Sequence, residues 1–174
     1  SAYATANMFY ILRDQPTDSA WLASENEGCG DSLICQASLS PLSESTPPLS
    51  PDSANSKGWY LGLSPGEQVV TSAITIYGTA IFSTHTPNAP VAGACSSNLG
   101  SSRVYEIDLT GEAGTGSNLV QTDLITGGGL PPSPVVGRVK LDNGKLVTVV
   151  IGASPDSIFE PRLLPEPQPP KRPK

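Results

Sequence analysis

One strand-like run occurs twice in this chain and constrains its fold more than any other feature. Residues 103–111 place Val104, Ile107 and Leu109 among polar residues and end on a Thr-Gly pair. Residues 8–14 have nearly the same form, with apolar and aromatic residues, then an acidic residue and a turn. A strand that recurs along a chain is typical of architectures that use one small sheet many times. The recurrence therefore predicts an all-β chain of the β-propeller type.

The composition favours short strands joined by long loops. The 174 residues include 18 Pro and 17 Gly, and only 15% of the chain is charged. Pro is well above its average usage, whereas the helix formers Lys, Glu and Met are sparse. Val, Ile and Thr favour strands, and Pro, Gly and Ser favour turns. The chain is also long enough to bury a core of its own.

The order of the strand-like runs predicts pieces of a propeller rather than a closed one. The runs cover residues 3–14, 58–63, 68–77, 80–85, 103–109, 119–125, 133–141 and 145–151. Four strands make one blade. The runs from 58 to 109 therefore predict one complete blade of antiparallel strands, with part-blades on either side. The last two runs flank Asn143-Gly144, which favours a hairpin with a type I′ turn.

Two segments are predicted to lie outside the blades. Residues 37–57 hold seven Ser and four Pro, so they cannot bury enough apolar surface to offset the entropy of ordering. They are predicted to be an exposed loop within a partial propeller that covers residues 1–160. Six of the last fourteen residues are Pro, so residues 161–174 are predicted to be an extended tail.

The three cysteines allow one disulfide. Cys29 and Cys35 are a candidate pair that would close a small loop, and the Ser/Thr-rich, weakly charged composition fits an exported protein in which disulfides persist. Cys95 would then be unpaired or paired with a part of the protein that is absent here. The alternative is three reduced thiols.

The sequence predicts no catalytic, cofactor-binding or metal-binding residue. The net charge of −6 disfavours nucleic-acid binding, and no apolar run reaches the length of a membrane span. The single histidine, His85, has no partner in the sequence pattern that indicates a metal site or a nucleophile–base pair, so a structural role is expected. Glu106 and Asp108 share one strand face and could do acid–base chemistry, but a solvated face is favoured.

Several segments together resemble the C-terminal β-propeller of the PilY family of type IV pilus tip and biogenesis proteins. Together they cover roughly residues 3–160 and occur in the family's order. The similar segments are residues 8–14, 58–63, 66–72, 95–100, 105–111 and 128–137. The family's calcium-binding Asp-rich loop has no matching positions, so a calcium site is not implied.

The resemblance implies an exported protein at the cell surface that takes part in pilus (fimbrium) biogenesis and cell adhesion. The expected function is structural and not enzymatic, without a cofactor: the chain would complete a propeller platform with other pilus subunits or with the N-terminal part of its precursor. Part-blades leave strand edges that invite pairing, so the chain is expected to need a partner, and a chain in contact with strands 3–14 or 145–151 would identify it. Two alternatives stay open, a fragment of a quinoprotein-type propeller enzyme and a small secreted β-sandwich that acts as a binding module.

Overall fold

The structure is a computed structural model that describes residues 6–13, 34–45, 57–89, 93, 98–109, 118–157 and 159–164. In these ranges the chain forms eleven β-strands and one short 3-10 helix at Gln36–Ser38, and no α-helix. The prediction of an all-β chain is confirmed. The strands are β1 (Met8–Leu12), β2 (Ser40–Leu42), β3 (Gly58–Gly62), β4 (Gln68–Val69), β5 (Ile74–Ile76), β6 (Thr79–Thr86), β7 (Ser101–Asp108), β8 (Val120–Ile125), β9 (Val135–Lys140), β10 (Leu146–Ile151) and β11 (Arg162–Leu164).

The chain divides into two compact units. One consists of Ser1–Gln68 and Thr110–Gln121, and the other of Val69–Leu109 and Thr122–Lys174. The first unit contains a sheet of three strands in the order β1–β3–β2. β1 and β3 are antiparallel, but β2 runs parallel to β3. This parallel pair departs from the antiparallel pairing that the sequence predicts.

Strand periodicity explains the two faces of this first sheet. Trp59 and Leu61 on β3 are buried together with Leu42 on β2, and all three share one face. Tyr10 lies opposite Tyr60 on the other face, where it is exposed. The guanidinium of Arg13 lies 5.7 Å from the centre of the Trp59 ring, on the buried side. The sheet thus has one apolar side and one open side.

The second sheet has the order β4–β6–β7–β8, with β5 also paired to β6. β6 and β7 are its central pair and match along their whole length, from Thr79 opposite Asp108 to Thr86 opposite Ser101. Phe82 and Tyr105 lie opposite each other, and their rings stack with centroids 5.2 Å apart. Both faces of β6 are buried, because Ile81 and Phe82 point to opposite faces and neither is exposed.

The third sheet has the order β11–β10–β9 and belongs to the second unit. Its central strand β10 contributes the fully buried Val150 to an apolar cluster. The cluster also contains Ile81, Val104, Ile125 and Ala153, so it joins the second and third sheets. Burial of these side chains stabilises the second unit.

The predicted grouping of strands into blades is wrong, because β3 belongs to a different sheet from β6 and β7. The runs at 58–63 and 103–109 were expected in the same blade, but β3 pairs with β1 and β2, and β7 pairs with β6 and β8. Neighbours in sequence do not always pair in a sheet, so counting strands along the chain does not fix the grouping. None of the three sheets closes on itself among the described residues, and the propeller remains a proposal.

Two antiparallel hairpins form, and the turn of the one predicted around Asn143-Gly144 differs from the prediction. The first joins β5 to β6 at Tyr77-Gly78, where both residues have positive φ, and the run 68–77 breaks into β4 and β5. The second joins β9 to β10, and there only Gly144 has a positive φ. The amide of Gly144 donates to the carbonyl oxygen of Leu141 (2.8 Å), and the amide of Leu141 donates to that of Lys145 (2.8 Å). The type I′ prediction is wrong, because this loop has three residues and its Gly occupies the bulge position.

Two parts of the predicted loop and tail are ordered in sheets. Within 37–57, Ser40–Leu42 forms β2, and the side chains of Leu39 and Leu42 are buried. These two leucines supply apolar burial that the Ser-rich average of the segment conceals. In the predicted tail, Arg162–Leu164 forms β11 and pairs with β10. Residues 46–56 and 165–174 lie outside the described residues, as does the start of the predicted strand 3–14.

Candidate functional site

His85 and Ser102 form a pair that deserves a chemical test, because histidine beside serine is the arrangement of many hydrolases. They lie opposite each other on β6 and β7, and Nδ1 of His85 lies 3.0 Å from Oγ of Ser102. The Ser102 hydroxyl donates to the carbonyl oxygen of Gly129. A hydroxyl that donates its proton to a carbonyl does not donate it to a base, so the imidazole serves as donor to the Ser102 oxygen.

The glycines around this pair fix a loop against β6 and β7. The amide of Gly129 donates to the carbonyl oxygen of Leu99 at 3.2 Å. Gly100 has a φ of 70°, and a Cβ there would lie 2.7 Å from the His85 ring. A Cβ on Gly128 would lie 2.6 Å from the carbonyl oxygen of Gly100. Only glycine permits these approaches, so His85 and Ser102 act as a structural clasp for the loop at 127–129.

Glu106 is not on the solvated face that the sequence favours. It lies on β7 with its side chain only 13% exposed, and it forms an ion pair with Arg162 of β11. Burial raises the pKa of Glu106, Arg162 opposes this rise, and the nearby Asp123 adds to it. The pair connects the second and third sheets of the same unit, because it joins β7 to β11. The prediction of a solvated Glu106 is therefore wrong, and its role is structural.

One described cysteine forms a disulfide bond. Cys35 is disulfide-bonded and precedes the 3-10 helix, where its amide donates to the Ser38 hydroxyl at 3.3 Å. Cys29 and Cys95 lie outside the described residues, so the predicted Cys29–Cys35 bridge stays a prediction. Among the side chains that the structure describes, no group of three or more His, Cys, Asp or Glu residues could hold a metal ion.

The outer edge of β9 is a candidate interaction site. Among the described residues β9 is the last strand of its sheet, and all six of its residues are exposed. The hydrogen bond from the Leu141 amide to the Lys145 carbonyl oxygen shows which residues of β9 direct their backbone groups toward β10. Because backbone groups in an antiparallel pair point inward and outward in turn, those of Val139 and Gly137 face β10. The amide and carbonyl groups of Val136 and Lys140 then face away from the sheet.

The side chains of β9 give this edge its chemistry. Val135, Val136 and Val139 are exposed, and Val135 retains 63% of its accessible surface. Arg138 and Lys140 are on the same face as Val136. An exposed strand edge with apolar side chains is a template for pairing with another chain. The charged residues on this edge limit which strands can pair with it.

β1 forms a second open edge, in the first unit. No strand in the part of the chain that the structure describes lies beyond it in its sheet. The amide of Arg13 donates to the Lys57 carbonyl oxygen (3.0 Å), and the amide of Leu63 donates to the Asn7 carbonyl oxygen (2.9 Å). Both bonds place the odd-numbered residues of β1 in the ladder with β3. The backbone groups of the even-numbered residues, which include Tyr10, therefore face outward.

The two strands at which a contacting chain would identify the partner occupy different places in their sheets. β1, in the run at 3–14, is an edge strand among the described residues. β10, in the run at 145–151, is central, because β9 and β11 pair with it on both sides. The sequence did not reveal β11, which lies in a Pro-rich tail, and so it did not identify β9 as the edge. The sole signal for β9 was the pair of basic residues on a strand that is otherwise apolar, a common way of protecting an edge.

No helix in the described part of the chain has the length and apolar character needed to cross a membrane. Comparisons with protein-family models, with curated proteins and with solved structures found no match to this chain.

Proposed function

We propose that this chain is a structural and interaction component of a type IV pilus, similar to the C-terminal region of PilY proteins. It supplies part of a propeller platform at the pilus tip or in its assembly machinery and receives a strand from a partner. The observation that carries the proposal is the open edge of β9, where every residue is exposed and alternate backbone groups face outward. The family assignment rests on the sequence resemblance.

The partner at β9 is a chain other than a second copy. The register that pairs residues 136–140 with the same residues of a second copy places Arg138 opposite itself, and like charges opposite each other are destabilising. A strand that alternates acidic and apolar residues would instead complement Lys140 and the exposed valines. The N-terminal part of the precursor and other pilus subunits are the proposed sources of such a strand.

The proposed function is not enzymatic and uses no cofactor. The His85–Ser102 pair is engaged in holding a loop, and the Glu106–Arg162 pair holds two sheets together. The proposed location is the cell surface, associated with the pilus. The disulfide at Cys35 supports an oxidising compartment, because such bonds persist outside the cytosol.

The test deletes the gene that encodes this chain and complements the deletion with that whole gene in three forms. Lys140→Pro removes an amide that faces away from β10, and proline is tolerated at such edge positions. Lys140→Ala is the matched control, because it removes the same charge and keeps the amide. We expect the wild type and Lys140→Ala to restore the number of pili per cell in electron micrographs, and Lys140→Pro to fail.

Two results would contradict different parts of the proposal. A deletion that leaves piliation unchanged, with no antibody label on pili, would refute the pilus assignment. Equal complementation by Lys140→Pro and Lys140→Ala would refute the role of the β9 edge. Circular dichroism of each purified variant separates both outcomes from misfolding.

A further inference from the structure

We infer that β1 is a self-association site, at which two copies of this chain pair edge to edge through antiparallel β1 strands. This goes beyond the proposed function, which places a different partner on β9. Met8, Tyr10 and Leu12 direct their amide and carbonyl groups away from β3, and no backbone partner for these groups exists among the described residues.

The side chains of these three residues lie on the open face of the first sheet. Met8, Tyr10 and Leu12 alternate with the inward-facing residues, and Tyr10 and Leu12 are 46% and 61% exposed. The Tyr10 hydroxyl lies within hydrogen-bonding distance of the Met8 sulfur (3.2 Å) and of the Gln36 side-chain oxygen (3.4 Å). These contacts hold the Tyr10 side chain beside Met8 and Gln36.

The sequence of β1 matches itself in the antiparallel direction. With Tyr10 on a two-fold axis, Met8 lies opposite Leu12 of the second copy, and Tyr10 lies opposite Tyr10. An isologous interface needs this self-complementarity. Every outward-facing position then pairs with another one, which gives about six backbone hydrogen bonds across the axis. Aromatic and apolar cross-strand pairs are favourable.

Charge distinguishes the two open edges. β1 contains no charged residue between Met8 and Leu12, so no like charges meet in a β1–β1 pair. The equivalent pairing of β9 places Arg138 opposite itself. A second copy therefore fits β1 and does not fit β9. The continuous sheet so formed would have the strand order β2–β3–β1–β1–β3–β2.

The expected association is weak, because one strand per copy buries less than the roughly 1,200 Å² typical of stable complexes. Sedimentation velocity of the full chain at about 10–500 μM covers this range of affinity. We expect the average mass to rise with concentration from the 18.0 kDa of one chain toward twice that value. A chain that stays monomeric over the whole range would overturn the inference.

Substitutions at the axis test the register. Tyr10→Lys places two ammonium groups opposite each other and is expected to weaken association at least about tenfold. Leu12→Lys meets Met8 of the second copy and is expected to weaken association less. Val139→Lys on β9 is the control and is expected to leave association unchanged. Circular dichroism confirms that each variant is folded.

Charge rescue gives a readout that a folding defect cannot imitate. An equimolar mixture of Tyr10→Lys and Tyr10→Glu chains is expected to associate more tightly than either variant alone, because opposite charges then meet on the axis. If the mixture behaves as the sum of its components, or if wild-type association is insensitive to Tyr10→Lys, the β1 pairing is wrong. Neither result bears on piliation, so failure here is separate from failure of the proposed function.

Discussion

Arg162→Met removes the cation that faces Glu106 and tests how β11 is held to β7. The Glu106 side chain is 13% exposed and that of Arg162 is 32% exposed. Methionine retains much of the apolar stem of arginine, so the substitution mainly removes charge. Removing one partner of a fully buried ion pair costs about 3–5 kcal/mol, whereas a surface pair contributes about 0–1 kcal/mol. For this partly exposed pair we expect a loss of about 1–3 kcal/mol in the free energy of unfolding at pH 7.

The pH dependence of this loss identifies its cause. Burial raises the folded-state pKa of Glu106, so the stability linked to its proton is present below the unfolded pKa and is lost as the pH rises through the folded value. Without Arg162, burial and the charge of Asp123 raise that pKa further. The variant therefore loses more stability than the wild type as Glu106 ionises. We expect the difference between the two proteins to be small at about pH 3.5 and largest at pH 7.

Urea unfolding at the two pH values measures this difference directly. Lys140→Met is the matched control, because it removes an exposed cation from the same unit without disturbing Glu106. The control should change stability by less than about 0.5 kcal/mol at either pH. An equal loss for Arg162→Met at both pH values would refute the reasoning, because the effect would then be one of packing and not of charge.

Three further substitutions test the core, the clasp and the hairpin by urea unfolding. Ile81→Ala in the fully buried cluster should cost about 2–5 kcal/mol, and a loss below about 1 kcal/mol would contradict the sheet packing. Ser102→Ala should cost about 1–3 kcal/mol, because it leaves the Gly129 carbonyl without its donor, whereas Ser101→Ala should have little effect. Gly144→Ala should cost about 1–2 kcal/mol because of its φ of 81°, and Asn143→Ala less than about 1 kcal/mol; equal losses would favour a type I′ turn instead.

Local patterns predicted the strands well, because alternation and turn residues act over a few positions. The runs at 58–63, 80–85 and 103–109 match β3, β6 and β7 closely. The hairpin at 133–151 was also correct, although its turn type was not, because the count of loop residues depends on where the ladder ends. Strands and hairpins depend on residues that are close in sequence, so they can be predicted from the sequence alone.

Pairing between distant strands could not be read in the same way. β2 is separated from its parallel partner β3 by a long segment of sequence, and β11 lies in a Pro-rich tail. Neither pairing is therefore indicated by the residues close to it in sequence. Glu106 is covered because β11 places Arg162 next to it. The spacing of residues along β7 does not predict this contact between distant strands. The position of β9 at the edge depends on the same strand, because the pairing of β11 with β10 makes β10 central and leaves β9 outermost.

Residue-resolved amide hydrogen exchange along β9 tests the central claim, an open edge that is ready to receive a strand. If the edge is open, the amides of Val136 and Lys140 exchange at least about 100-fold faster than those of Gly137 and Val139, which donate to β10. Slow exchange at all four amides of the isolated chain would contradict the account, because it would mean that the outer edge of β9 is already covered.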